Sequence, residues 1–199
     1  MYEQYDAIIF DMDGTLVDSG RLHEVAWTES LNHFGIPVNR PLMRSLAGVP
    51  SKETVEILLE KFNCRIDAAP ADVNAYKESV VRRKLHEYVK PTALIGIVEK
   101  YYGSKPMAVG TGAYSDEAVS ILKACGILNY FDAVVGADKV GNPKPAPDTF
   151  LKCAELLNVP ASKCVVFEDS PLGLEAARNA GMVGVDVLKE FNIVNDYYL

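Results

Sequence analysis

No uninterrupted apolar stretch in the 199 residues approaches the roughly 20 that a membrane-spanning helix needs. The opening residues, Met1 to Asp6, lack the basic region and apolar run of a secretory signal. Both absences predict a soluble, cytoplasmic chain with no membrane partner. Positive charge is short as well: 20 Lys and Arg stand against 27 Asp and Glu, a net charge of −7. A global acidic field disfavours nucleic acid and anionic surfaces. It leaves open a phosphorylated metabolite, which needs only a local positive site. Cysteine is sparse: Cys64, Cys125, Cys153 and Cys164 form no CxxC pair, and Cys125 and Cys153 fall at apolar helical positions. Free thiols in a reducing compartment follow, without a disulfide framework or structural zinc. There is no internal repeat, low-complexity tract or long linker, and nothing marks an obligate protein partner.

What is present suffices for a sizeable core. The residues are 49% hydrophobic and 24% charged, which fits one ordinary domain or a core domain with a modest insertion. Five short apolar runs without alternation predict buried parallel strands: Ala7–Phe10, Met107–Gly110, Ala133–Val135, Cys164–Phe167 and Val183–Val187. Helical stripes lie between them at Val119, Leu122 and Cys125, at Phe150, Ala154 and Leu157, and at Leu174, Ala177 and Gly181. Strand and helix in series give an α/β fold with a doubly wound parallel sheet. The first crossover, Met12 to Lys105, far exceeds the about 30 residues of an ordinary strand–helix–strand unit. Its excess reads as helix. Trp27, Leu31 and Phe34 share one face, Val55, Leu58, Leu59 and Phe62 another, and Ala71 to Val89 form a third, more charged helix. The expected division is a core of residues 1–17 and 91–199 with a helical subdomain of residues 18–90. Pro91 disfavours helix at Lys90 and marks the second crossing.

The strongest chemical signal is Asp11-Met-Asp-Gly-Thr15, directly after the first strand. Ligands of open α/β sheets bind beyond the carboxyl ends of strands. If Gly14 lets the chain turn, Asp11 and Asp13 can aim at one point, one as nucleophile and the other handling protons. Glu168-Asp169-Ser170-Pro171 follows another apolar strand. Ser170 suits an N-cap and Pro171 the first helical position, but neither accounts for the acidic pair. Carboxylates converging at one sheet edge repel unless a cation sits among them, and oxygen ligands suit Mg²⁺. Thr111-Gly112 places a hydroxyl and an unhindered N–H at a strand-to-helix turn, an anion cradle. Lys144 sits among prolines that fix where it points, and Asp148 is expected to cap the helix that follows.

These four motifs, in this order across nearly the whole chain, resemble the haloacid dehalogenase-like (HAD) superfamily, within it the β-phosphoglucomutase-like members. The resemblance implies a Rossmann-like core with an α-helical cap, and a role for each motif residue. Asp11 would be the nucleophile that forms an aspartyl-phosphate, and Asp13 the general acid/base. Thr111, Gly112 and Lys144 would hold the phosphoryl group. Asp11, Asp13 (through its carbonyl), Glu168 and Asp169 would form the Mg²⁺ site. His23 and Trp27 match a His-x-x-x-Trp pattern of those members, and Lys77 falls near a cap lysine; His23 and Lys77 are candidate substrate contacts. Ala-Val-Gly-Thr-Gly, Lys-Pro-Ala-Pro-Asp-Thr-Phe and Cys-Val-Val-Phe-Glu-Asp are most similar to bacterial fructose-1-phosphate/6-phosphogluconate phosphatases of the superfamily. The expected activity is Mg²⁺-dependent hydrolysis of a small sugar phosphate. The first alternative is a phosphomutase. Against it, Leu46-Ala-Gly-Val49 is followed by Pro50, Ser51 and Lys52 without arginine, and Thr111-Gly-Ala-Tyr114 carries no lysine. A receiver-like phosphoacceptor without enzymatic activity is the remote alternative, disfavoured by the long insertion and by Asp13. Haloacid dehalogenation is disfavoured too, since that branch uses neither a metal nor this acid/base.

Overall fold

The computed structural model describes Met1–Leu199 throughout. In chain order the elements are β1 (Ala7–Phe10), β2 (Val17–Asp18), α1 (Gly20–His33), α2 (Arg40–Ser45), α3 (Ser51–Lys61), α4 (Pro70–Tyr88), β3 (Lys90–Pro91), α5 (Ile95–Tyr101), β4 (Met107–Gly110), α6 (Ser115–Ala124), β5 (Ala133–Val135), α7 (Asp148–Leu156), β6 (Cys164–Glu168), α8 (Pro171–Asn179), β7 (Val183–Asp186) and α9 (Val187–Glu190). The chain divides into two compact units, one of residues 1–18 and 89–195, the other of residues 19–88 and 196–199.

The first unit is built on a five-stranded sheet ordered β5-β4-β1-β6-β7, parallel at every pairing. The five expected strands form it, with β1 at its centre. Successive strand residues point to opposite faces, and that alternation divides the core in two. Ile8, Phe10, Val109, Val165 and Phe167 pack with Leu94, Val98, Ile121 and Leu122 on the α5 and α6 side. Ala7, Ile9, Ala108 and Val166 pack with Phe150, Ala154, Ala176 and Ala177 on the α7 and α8 side. Both faces are covered, which is why the strands read as unbroken apolar runs. β2 and β3 pair antiparallel, Val17 with Pro91 and Asp18 with Lys90, so the two ends of the long insertion are stitched together within this unit.

Several local expectations shift. The last strand ends at Asp186 rather than Val187, because the Asp186 carboxylate accepts the Lys189 N–H and caps the next turn. On α8 the buried residues are Gly173, Ala176 and Ala177, with Leu174 half-buried. Gly181 lies outside that helix at φ +72°, where the Gly181 and Met182 N–H groups bond back to Arg178 and Ala177 and close it. On α6 the buried apolar residues are Ala118, Ile121 and Leu122, with Val119 half-buried. Asp148 does not cap α7. It is that helix's first residue, and its carboxylate accepts from the Asn142 backbone and side chain.

In the second unit, Trp27, Leu31, Ile36, Met43, Val55, Leu58 and Val73 form the core. α1 packs on α4, and the Ser30 hydroxyl donates to the Val73 carbonyl. Tyr197 and Tyr198 belong to the same core. The sequence division placed these last residues with the sheet. They pack among helices instead, because two consecutive tyrosines need apolar cover that the helical unit supplies. All four cysteines are free thiols. Burial pushes Cys153 up to about 12 and Cys164 up to about 11, so both stay protonated.

Phe150 is fully buried against the sheet. Phe150→Ala is expected to cost about 3–5 kcal/mol of stability by leaving a cavity, read as a lower midpoint in urea unfolding.

Candidate active site

Each expected core residue sits at the carboxyl edge of the sheet or in a loop leaving it. β1 ends at Phe10, so Asp11 is the first residue past the central strand, and its N–H donates to the Phe167 carbonyl of β6. The turn that follows is closed by Leu16 and Val17 N–H groups returning to the Met12 carbonyl, with Gly14 at φ +80°. β4 delivers Thr111, which is buried; its hydroxyl oxygen accepts the Ala113 N–H at 3.1 Å, leaving the hydroxyl proton available to an anion. Gly112 beside it is exposed. β6 ends in Glu168, and Ser170 caps α8 by accepting the Gly173 N–H, with Pro171 opening the helix.

Lys144 ties these strand ends together. Its Nζ lies 2.6 Å from Asp11 Oδ1 and 2.7 Å from Glu168 Oε2, over the face of Phe150. The other Glu168 oxygen accepts from the Asp169 N–H, the Ser170 N–H and the Ser170 hydroxyl, at 3.1, 2.9 and 2.9 Å. A Cβ at Gly173 would fall 1.9 Å from Glu168 Oε2, so only glycine leaves room for that carboxylate at the start of α8. Asp169 accepts from the Thr15 hydroxyl on Oδ1 (3.1 Å) and from the Asn195 amide on Oδ2 (2.8 Å).

The charges explain the protonation pattern. Burial pushes Asp11 well above the usual carboxylate range, and the charge of Glu168 adds to it, with Lys144 only partly offsetting. Burial and then Glu168 push Asp169 up to about 7. Burial acts the same way on Glu168, but Lys144 and the Ser170 donors outweigh it and hold Glu168 below its ordinary value. For Lys144, burial opposes the charge, while Asp11 and Glu168 raise its pKa above the usual lysine value. One ammonium thus faces three carboxylates. Asp11, Glu168 and Asp169 each present an oxygen within 4.8 Å of the others. An all-oxygen donor set with unbalanced negative charge fits a hard divalent cation.

The haloacid dehalogenase-like hydrolase family model matches residues 8–187, from β1 to the end of the sheet. This chain belongs to that family. The hydrolase is 44% identical to fructose-1-phosphate phosphatase YqaB of Escherichia coli, over 94% of this chain and 98% of that one. It is 30% identical to β-phosphoglucomutase of Bacillus subtilis, over 91% of this chain and 82% of that one. Among solved structures, CbbY of Rhodobacter sphaeroides in complex with phosphate superposes with a TM-score of 0.78 at 26% identity, covering 90% of this chain and 84% of that one.

The structure brings together Asp11, Lys144, Glu168 and Asp169. Asp13 lies on the turn beyond Asp11, half-buried, and its charge contributes after burial to lifting the Cys125 thiol to about 11. His23 and Lys77 are carried by the helical unit of this hydrolase. His23 is on α1, and Lys77 is a buried lysine whose ammonium stands 5.8 Å from the Trp27 ring centroid. Thr15, Ser170 and Asn195 were not expected as carboxylate partners. Thr15 stood inside the first motif and Ser170 was read only as a cap. Asn195 had no signal at all.

The raised Asp169 carries a stability cost. Its folded value of about 7 exceeds an unfolded aspartate near 4, so between these values the folded state binds more protons and stability falls as pH rises. Without divalent cation, Asp169→Asn is expected to melt above the parent at about pH 7 and higher. The gap should close on acidification toward pH 4, as followed by thermal unfolding in chelator.

Proposed function

We propose that this hydrolase is a Mg²⁺-dependent phosphatase of small sugar phosphates, acting through an aspartyl-phosphate on Asp11. The observation that carries the reading is the buried Asp11 carboxylate at the end of the central strand with Lys144 against one of its oxygens. Without compensating charge an anionic nucleophile and a phosphate monoester repel. Lys144 supplies a fixed cation where both meet. Asp11, Glu168 and Asp169, with the Asp13 carbonyl, would hold Mg²⁺. When bound, the ion supplies positive charge that offsets the phosphoryl oxygens and keeps Asp11 ionised.

In the first step an Asp11 oxygen bonds to phosphorus and the bond to the sugar oxygen breaks, with Asp13 giving that oxygen its proton. In the second, Asp13 takes a proton from water, the water oxygen bonds to phosphorus, and the bond to Asp11 breaks, freeing phosphate. Thr111 and Gly112 donate to the phosphoryl oxygens from the turn after β4. Lys144 serves both steps, because it stays charged throughout. His23 and Lys77 are assigned to substrate selection, carried on the inserted helices. Fructose-1-phosphate heads the substrate candidates, since it is named for the 44%-identical relative; 6-phosphogluconate is the second. A mutase would need further cations to grip a bisphosphate, and residues 49–52 and 111–114 provide only Lys52.

Release of inorganic phosphate from fructose-1-phosphate or 6-phosphogluconate, without added bisphosphate, is the direct assay. Asp11→Asn is expected to abolish release while leaving the circular dichroism spectrum unchanged; near-parent turnover would remove Asp11 as nucleophile.

Asp13→Ala should lower kcat/KM for a sugar phosphate by about 10²–10⁴-fold. For an aryl phosphate, whose leaving group needs little protonation, the loss should be much smaller. Equal losses would contradict the acid role.

A further inference from the structure

The family-model match ends at residue 187, and residues 188–199 follow it. They are not a loose tail. Phe191 and Ile193 pack against the sheet's core, with the Phe191 ring 5.9 Å from that of Phe167. The chain then reaches Asn195, whose amide donates to Asp169 Oδ2 at 2.8 Å. Gly14 makes this approach possible. A Cβ there would lie 2.5 Å from both Asn195 Nδ2 and Asp169 Oδ2. Beyond Asn195 the residues are fixed again, now within the helical unit. Arg44 donates to the Tyr197 carbonyl and Arg40 to the Leu199 carbonyl, each at 2.6 Å, and the Tyr198 hydroxyl donates to the Glu24 carbonyl. Within the sheet unit, Asn195 is held by the apolar packing of Phe191 and Ile193 just ahead of it.

We propose that Asn195 is a positioning residue for the divalent-cation site, supplied by the segment that follows the last strand and α9. The proposal rests on the reading of Asp11, Glu168 and Asp169 as that site. Its chemistry follows from the donor type. Asp169 is gripped on one oxygen by Thr15 and on the other by Asn195. A carboxylate free to rotate must be ordered each time a cation arrives, and outer partners that fix a ligand are worth about 10–100-fold in metal affinity. An amide performs this without charge. A lysine at the same place would compete with the cation, as an ammonium cannot share the carboxylate's negative charge without weakening the metal's hold on it. Asparagine orients the ligand and leaves its charge available.

The test is calorimetric titration of Mn²⁺ into the full-length parent, Asn195→Leu, Asn195→Gln and Asp169→Asn, all without substrate. Leucine keeps the bulk and removes the donor, whereas glutamine keeps the donor. Mn²⁺ affinity is expected to fall about 10–100-fold in Asn195→Leu and to be partly restored in Asn195→Gln, with the melting temperature in chelator lowered in the leucine variant only by what one lost hydrogen bond costs. In turnover assays the Mg²⁺ concentration for half-maximal rate should rise in Asn195→Leu, while KM for the sugar phosphate at saturating Mg²⁺ stays near that of the parent. Parent-like Mn²⁺ affinity in Asn195→Leu, or equal losses in the leucine and glutamine variants, would overturn the proposal while leaving the metal site standing. Failure of the parent to bind Mn²⁺, or parent-like binding by Asp169→Asn, would overturn the metal-site reading and the proposal with it.

Discussion

Three carboxylates gathered within 4.8 Å repel one another, and burial strengthens the repulsion by removing the water that would screen it. The architecture of the sheet edge follows from managing that repulsion. Lys144 lies between Asp11 and Glu168 at 2.6 and 2.7 Å, so one ammonium serves two anions. The Ser170 N–H and hydroxyl at the start of α8 take the other side of Glu168. Asp169, left without a cation of its own, is the group lifted to about 7. The cluster carries more negative than positive charge, and the carboxylate with no ammonium against it is the one that neutral hydrogen bonds from Thr15 and Asn195 hold in place.

The same arrangement gives Lys144 two duties that do not conflict. It lies against both Asp11 and Glu168. In the proposed reaction, charge would move from the Asp11 carboxylate toward the phosphoryl oxygens, and the ammonium beside Asp11 could follow that charge with little displacement. Such preorganised charge is effective because nothing needs to reorient as the reaction proceeds. The rigid setting matters here. Lys144 is flanked by Pro143 and Pro145 and stands over the Phe150 ring, so its reach is fixed by packing rather than by a flexible stem. Destabilising the apo protein through Asp169 is the counterpart of this readiness, in keeping with the tension between stability and function at active sites.

The parts of this molecule that could be read from sequence are those with local signals. β1, β4, β5, β6 and β7 were visible because strands covered on both faces are short unbroken apolar runs, and the candidate site residues were visible because they abut those runs. Asp11 follows Phe10, Thr111 follows Gly110, and Glu168 follows Phe167. The buried face of α8 was displaced because Gly181 looked like a helical position and is instead the left-handed residue that closes the helix. Asp148 looked like a cap by its place before an apolar stripe, but the loop from Asn142 claims its carboxylate. Asn195 could not be seen at all. Its partner Asp169 is 26 residues earlier, and the residues around it show neither helical nor strand periodicity.

That last case shows how a residue far from the four motifs can reach their carboxylates. Every residue of the four motifs lies within the matched region 8–187, yet one of the two hydrogen bonds that orient Asp169 comes from outside it. The glycine at position 14 belongs to the first motif, where its positive φ serves the turn after Asp11. Its missing side chain also opens the space that Asn195 fills. A turn requirement and a packing opportunity coincide at one residue, so the segment after α9 can reach a buried carboxylate with no change in the motif. The phenylalanine and isoleucine ahead of Asn195, packed on the sheet, support the contact. An exposed hydrogen bond made by a free tail would be lost to water and chain entropy, whereas here the entropy of ordering the segment is offset by the apolar burial of Phe191 and Ile193. One of the hydrogen bonds on Asp169 thus comes from a residue whose place is set by hydrophobic contacts on the sheet, away from the carboxylate cluster.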